Sequence, residues 1–280
     1  MAIAVTELHH GHRRVVTSPV ANLAALGLQE PRNGVYLVAR TYRGGQVLDL
    51  DAHFDRLERS AASLGVDLSC PRNELRRVLI ETRDRLPATD HRFRVTAVLD
   101  APVWYRVAVE VAHEVPEELR AHGVECAVHR GSLRADAPVK TTAWIHDRRQ
   151  LAGGDTAYEH LLANDEGAIY EGATSNFYAL IGSTLHTAGE GVLEGIARRI
   201  VLTVAHRLAP ALTVEYRPPT VRELVGGHIT EAFISSATRG IVPVRRIDNI
   251  EVPVPGVWTA RLVEGYESWM GAHLEPLAVD

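Results

Sequence analysis

The most constraining feature of this chain is the shortness of the links between its alternating, β-type runs. Val35–Tyr42 and Gln46–Leu50 are separated only by Arg43-Gly44-Gly45, and Arg92–Leu99 and Trp104–Ala112 only by a turn at Asp100-Ala101-Pro102. Links of this length join antiparallel neighbours; a parallel pair needs a crossover of about a dozen residues or more. The sheets are therefore predicted to be mostly antiparallel, which excludes a doubly wound nucleotide-binding sheet. No Gly-x-Gly-x-x-Gly opens a helix after a strand, in keeping with that exclusion.

Between the two pairs, Asp51 is placed to cap a helix over Ala52–Leu64 whose apolar face is Phe54, Leu57, Ala61 and Leu64. A second helix, Asn73–Leu86, follows Pro71. The acidic, proline-containing stretch Glu114–Glu118 marks a boundary, giving a small α/β domain over 1–116 and a larger one over 117–280. In the second part the pattern predicts strands at Val124–His129, Ala168–Glu171, Asn176–Ile181, Thr184–His186, Ala232–Ser235 and Ile241–Arg245. Helices are predicted over Arg148–Leu162, across Gly153-Gly154, over Leu193–Leu208, and over Val257–Leu274. The fold class is α+β.

A net charge of −5 with mixed signs and no basic stripe excludes nucleic acid as the main partner. Met1–Arg14 has too short an apolar run for a signal peptide, and no later run could cross a membrane, which points to the cytoplasm. Cys70 and Cys126 lie far apart and form no metal or redox motif. His9, His10 and His12 could ligate a metal, but their polar terminus reads as a flexible tail, and no metal is expected.

Of thirty basic residues twenty-nine are arginine; the one lysine is Lys140, in Pro138-Val139-Lys140-Thr141-Thr142. Arginine serves for charge and for gripping anions but does not shed its proton, so an amine nucleophile must be lysine. Such an amine typically forms a Schiff base with a carbonyl, above all that of pyridoxal phosphate. Three features follow in order. Glu171-Gly172-Ala173-Thr174-Ser175-Asn176 puts a carboxylate at a strand end. Leu193-Glu194-Gly195-Ile196-Ala197-Arg198 brings a loop into a helix, whose first amides can bind a phosphate. Glu231–Val244 runs an apolar strand into hydroxyls at Ser235, Ser236 and Thr238. Upstream, Asp51–Leu57 carries Arg56 on a helix. Singly, these are a turn, a helix start, a strand end and a solvated charge; in this order, with the lone lysine, they form a pattern.

That pattern resembles the fold-type IV pyridoxal-phosphate enzymes: branched-chain aminotransferases, D-amino acid aminotransferases and aminodeoxychorismate lyase. The resemblance runs from Gly34-Val35-Tyr36 to the final helix and is most specific at Glu171-Gly172 with Ser175-Asn176 and at Leu193-x-Gly195-Ile196. It implies a small α/β domain and a larger β-barrel-like domain with flanking helices, the cofactor lying between them, in a homodimer. It implies that Lys140 forms the Schiff base with pyridoxal 5'-phosphate and serves as the base, and that Glu171 pairs with the pyridine nitrogen. Arg56, the amides of Ile196 and Ala197, and the Gly195 and Ser236-Ala237 corners would hold the phosphate, while Leu193 packs on the ring. Departures are Ala197 and Ala237, where relatives often carry threonine, and Trp144, where an asparagine is common. For the substrate the resemblance points to Tyr36, Arg40, Arg92, Arg94 and Arg239. Arg239-Gly240 before Ile241-Val242-Pro243-Val244 resembles the lyase branch and either contacts substrate or anchors a loop. The implied activity is amino transfer between an amino acid and a 2-oxo acid, branched-chain-like or of the D-amino acid type. The alternatives are aminodeoxychorismate lyase and a cofactor-binding paralogue with little turnover.

Overall fold

The structure, a computed structural model, describes residues 3–151, 156–254 and 256–278. Its contacts divide the chain into two compact units, Met1–His113 with Val139–Arg149 and His273–Asp280, and Glu114–Pro138 with Gln150–Ala272. The first unit is thus built from three separate stretches, one of which carries Lys140, so a single cut at 116/117 does not describe the two units.

The first unit holds β1 (Ile3–His9), β2 (His12–Val16), β3 (Gly34–Tyr42), β4 (Gln46–Leu48), β5 (His91–Val98), β6 (Trp104–Val111) and a terminal strand, Leu274–Pro276. They make one seven-stranded sheet in the order terminal strand, β4, β3, β5, β6, β1, β2. Every pairing is antiparallel, as the short links require. Strand alternation gives the sheet two unlike faces. Val35, Leu37, Ala39, Phe93, Val95, Ala97, Val107 and Val109 pack with Phe54, Leu57, Ala61, Leu75, Val78 and Leu79 from the helices Leu50–Ala62 and Arg72–Arg83. The cross-strand registers Tyr36↔Thr96, Val38↔Arg94 and Arg40↔Arg92 put the polar side chains of β3 and β5 on the opposite face.

Three expectations are corrected here. The helix expected over Ala52–Leu64 runs from Leu50 to Ala62, and Asp49, not Asp51, is its N-cap. The reason is Leu50, fully buried, which continues the stripe of Phe54, Leu57 and Ala61 one turn earlier, while Leu64 is left 42% exposed. The expected helix over Asn73–Leu86 is Arg72–Arg83. The histidine-rich start is no loose tail: β1 and β2 form a hairpin through His10 (φ 51°) and Gly11 (φ 79°), and His9 stacks on Trp104 at 4.7 Å. Two successive left-handed residues are what a two-residue hairpin turn demands.

The second unit contains β7 (Val124–Arg130), β8 (Glu159–Ala163), β9 (Ile169–Gly172), β10 (Asn176–Ile181), β11 (Thr184–His186), β12 (Thr213–Glu215), β13 (Glu231–Ser236), β14 (Gly240–Ile247) and β15 (Ile250–Glu251). The chain of pairings β10-β13-β14-β7-β8-β9 closes on itself through Asn176↔Glu171, making a six-stranded barrel. β7 runs parallel to both β8 and β14; the other barrel pairings are antiparallel. Cys126, Leu161, Ala163, Phe177, Ala179, Ile234, Val242 and Val244 fill a common core. The helix expected over Arg148–Leu162 is absent at its far end, where Glu159–Ala163 is β8. A helix covers Thr142–Asp147, a 3-10 turn covers Arg148–Leu151, and Gly153-Gly154 lie outside the described residues. Leu161, Leu162 and Ala163 are all buried, and a short strand buried on both faces has no periodicity to separate it from a helix. The helix expected from Leu193 starts at Ile196, and the one expected to Leu274 ends at His273. Among the described residues no helix is long and apolar enough to cross a membrane.

Candidate functional site

In the first unit the chemistry gathers around Tyr36, on the polar face of β3. The Tyr36 amide donates to the Lys140 carbonyl at 3.1 Å, and the Lys140 amide donates to Ser60 Oγ at 3.3 Å. Lys140 immediately precedes Thr141, which caps the Thr142–Asp147 helix, and Thr142 Oγ1 is hydrogen-bonded to both the amide and the carbonyl of Gly34. The segment is therefore pinned to β3 from the lysine carbonyl onward and to the Leu50–Ala62 helix at the lysine amide. Lys140 Nζ stands 5.0 Å from the centre of the Tyr36 ring and the Arg94 guanidinium 5.3 Å from the same ring. Arg94 is 4% exposed, and its Nε and Nη1 have no hydrogen-bond partner among the described residues. Burial pulls its pKa below the ordinary guanidinium value, while Tyr36 and Glu30 favour the charge.

The other arginines of this face differ. Arg92 donates to Glu110, its cross-strand partner on β6, and Glu110 also accepts from the Leu23 amide, so Arg92 is committed to the fold. Arg40 is buried, donates through Nε to the Thr41 carbonyl at 3.3 Å and lies over Tyr42. Arg56 is buried rather than solvated, its Nη2 3.5 Å from His53 Nδ1 one turn earlier on its helix. On this same face Arg106 bridges Glu7 and Glu30, and Thr96 donates to Glu30. Burial pushes the Glu30 carboxyl upward, with Arg106 opposing.

In the second unit Glu171 is the last residue but one of β9, at 3% exposure. Its Oε2 accepts the Leu193 amide at 3.1 Å and its Oε1 accepts from Arg134 Nη1 at 3.2 Å. Asn176, paired with Glu171 in register, donates to the Leu193 carbonyl at 2.8 Å. Gly195 caps the Ile196–Arg207 helix and offers no side-chain cap to its first amides. A Cβ at Gly195 would collide with Asn176 Oδ1, so only glycine lets this helix start so close to β10. Arg198, in the first turn, is buried and donates to Thr187 Oγ1 at 2.9 Å and to the Ala188 carbonyl at 2.6 Å.

Ser236 ends β13, followed by Ala237 in the turn to β14. Arg239 donates through Nε to Ser236 Oγ at 3.0 Å and through Nη2 to Glu159 Oε2 at 3.0 Å and Thr174 Oγ1 at 2.8 Å. Glu159 also accepts from Ser175 Oγ at 2.8 Å and from Thr174 Oγ1. Burial opposes charge on both members of this pair. For Glu159 the Arg239 charge and two hydroxyls win and hold its carboxyl below the usual range; for Arg239 the Glu159 charge wins and holds its pKa above the ordinary value. Arg239, by sequence either a substrate contact or a loop anchor, is thus tied into the turn between β13 and β14. Arg134, Glu159 and Arg198 escaped the sequence reading because a buried arginine or glutamate looks like a surface one until its partner, 37, 80 or 11 residues away, is known.

These residues fit the cofactor that the resemblance implies. A buried guanidinium with two nitrogens unpartnered among the described residues, beside the sole lysine, suits a substrate carboxylate; a held carboxylate suits a pyridinium nitrogen, and a helix start without a side-chain cap suits a phosphate.

Residues 34–247 match the family described as amino-transferase class IV. A D-alanine aminotransferase of Bacillus licheniformis is 30% identical over 231 residues, 78% of this chain and 80% of the relative. An aminodeoxychorismate lyase of Bacillus subtilis is 22% identical over 237 residues, 78% of each chain. The crystal structure of a branched-chain aminotransferase from Thermoproteus uzoniensis with norvaline superposes with a TM-score of 0.77 over 98% of this chain and 99% of that one, at 24% identity, which shows a common fold. With its closed barrel, its single lysine and this match across most of its length, the chain belongs to the class IV aminotransferase family, whose enzymes work with pyridoxal 5'-phosphate.

Proposed function

We propose that this protein transfers an amino group between an amino acid and a 2-oxo acid, with Lys140 holding the cofactor and Arg94 the substrate carboxylate. The observation that carries this reading is Arg94: a buried guanidinium with two unpartnered nitrogens, on the same tyrosine ring as Lys140 Nζ. A carboxylate there would satisfy both nitrogens with charge-assisted bonds. Glu171 would hold the pyridine nitrogen protonated, kept in place by the Leu193 amide and Arg134. Arg56, the amides of Ile196 and Ala197, and Ser236 would hold the phosphate, and Leu193 would lie on the ring. Bound pyridoxal phosphate supplies an electron sink that lets an amino acid lose its α-proton. Lys140, close to cationic and aromatic groups, is the amine suited to take that proton from the α-carbon and return it. Tyr36 would wall the lysine side of the site, and Arg40, engaged with Thr41 and Tyr42, is the less suited clamp. In the cell we read the protein as a cytoplasmic homodimer, which sedimentation of the purified protein would check.

The test is the visible spectrum of the loaded protein as single amino acids are added without any 2-oxo acid. Bleaching by D-alanine and D-glutamate, or by L-leucine and L-glutamate, supports amino transfer and names the series. Pyruvate release from aminodeoxychorismate with no bleaching would instead assign the lyase, and silence with every compound a binding paralogue.

A further inference from the structure

In the first unit the short helix Leu23–Gly27 packs on β6 and ends on a glycine that its backbone does not call for. Gly27 is the last helical residue, and its φ is not in the left-handed range. The usual reason for glycine at a helix end, a left-handed turn, is therefore missing. What the position lacks is room. A Cβ on Gly27 would stand 2.7 Å from Arg94 Nη1, 3.2 Å from Arg94 Nη2 and 3.0 Å from Ile145 Cγ2. The helix is not free to back away, because it is fastened at both ends. Its first amide, on Leu23, donates to Glu110 at 2.6 Å. Just beyond its last turn the Glu30 carboxylate accepts from Arg106 at 2.9 Å and from Thr96 at 3.2 Å, and the Glu30 carbonyl accepts from His146 Nε2 at 2.9 Å. Leu23 and Leu26 are buried with Ile3, Val5 and Ala108.

The strand register gives this fixed wall a meaning. Arg92, Arg94 and Thr96 of β5 stand opposite Glu110, Ala108 and Arg106 of β6, all on one face. Arg92 is answered by Glu110, and Arg106 by Glu7 and Glu30. Arg94, between them, has alanine across the strand and glycine against its guanidinium, and neither brings an acceptor side chain. The chain thus supplies carboxylates on either side and leaves two nitrogens of the middle arginine without a partner among the described residues.

We propose that Gly27 is a positioning residue for the substrate. By carrying no side chain it lets the Arg94 guanidinium rest against the end of the helix, over Tyr36, where it can hold a carboxylate beside Lys140. The inference rests on Arg94 as the substrate clamp, the reading given above. Gly27 itself meets no reacting group and acts through Arg94 alone.

The experiment follows bleaching of the visible band of the full-length, pyridoxal-phosphate-loaded protein against the concentration of D-alanine and, separately, of L-leucine. The variants are Gly27→Ala, Arg94→Lys and the double change. Lysine ends one bond short of the Nη1 atom that an alanine at position 27 would strike. Gly27→Ala should raise the half-saturating concentration about tenfold, the weight of one charge-assisted hydrogen bond, with the limiting rate and the cofactor's dissociation constant unchanged. Alanine is the better helix former, and an unchanged circular dichroism spectrum would confirm that the fold is kept. In the Arg94→Lys background the same change should cost nothing further, because the collision is gone. Equal losses in both backgrounds would mean that Gly27 serves the helix and not Arg94, and would overturn the proposal, as would wild-type saturation in Gly27→Ala. Wild-type saturation in Arg94→Lys would instead overturn Arg94 as the clamp. Failure of both amino acids to bleach the wild type would overturn the amino-transfer reading, and the role of Gly27 would fall with either.

Discussion

Arg94 and Lys140 carry opposite costs. A buried guanidinium with two nitrogens that have no hydrogen-bond partner among the described residues is destabilising in the resting protein, and an anion would redeem it. Arg94→Met should therefore raise the melting temperature of the ligand-free protein by about 2–4 °C, while raising KM for the amino acid about tenfold or more. A variant with both values unchanged would mean that Arg94 serves neither stability nor substrate. Lys140→Ala and Lys140→Arg should both lose the visible absorbance of covalently held cofactor and all amino transfer, since arginine keeps the charge but cannot act as the amine; residual turnover in either would sink the assignment. Lys140 and Glu171 could be singled out as candidates from sequence because each stands at a chemically marked place, the sole amine and a carboxylate before glycine. Arg92 and Arg239 could not be separated from Arg94 in that way. Whether an arginine is spent on Glu110 or Glu159, or left unpaired, is decided by strand register, which sequence does not print.

Among the elements, the Ile196–Arg207 helix is the most exposed to a single change. Gly195→Ala should push Asn176 away or shift the helix start, weakening pyridoxal phosphate about tenfold with little change for pyridoxal; equal losses for both would point to general unfolding, which circular dichroism would register. β5 has a different vulnerability. His91, at its first position, is buried, and burial, aided by the Arg83 charge, pulls its pKa below the ordinary imidazole value, with the Leu86 backbone opposing. The unfolded chain therefore takes up the proton first, so this contribution is full above about pH 6.5 and is lost as pH falls through the folded value. Urea midpoints should drop between pH 7.5 and 5.5, and His91→Phe should flatten part of that drop. His186 shifts in the same direction and would keep some of it. Elements with one buried face, such as the Leu50–Ala62 helix and β3, were legible to within two residues because alternation or a 3.6-residue stripe marks them. β8 was not, because it is buried all round, and the β1–β2 hairpin was not, because its turn is His-Gly rather than the more telling Asn-Gly.

For the molecule as a whole, the antiparallel bias and α+β class followed from link lengths, and the family from a few spaced residues. What stayed hidden was the interleaving of the units, since no local pattern tells a strand which distant edge it will join. Leu274–Pro276 pairs with β4, Arg76 donates to the Leu277 carbonyl, and the Leu50 amide donates to Glu275. The fragment 1–116 should consequently give no cooperative thermal transition by calorimetry, and a sharp transition would show that the remaining strands suffice. On the ribosome the same closure sets an order of events. The sheet begun by β1 keeps an open edge at β4 until Leu274–Pro276, more than two hundred positions later, have left the exit tunnel. Until then the growing chain must be shielded at that edge.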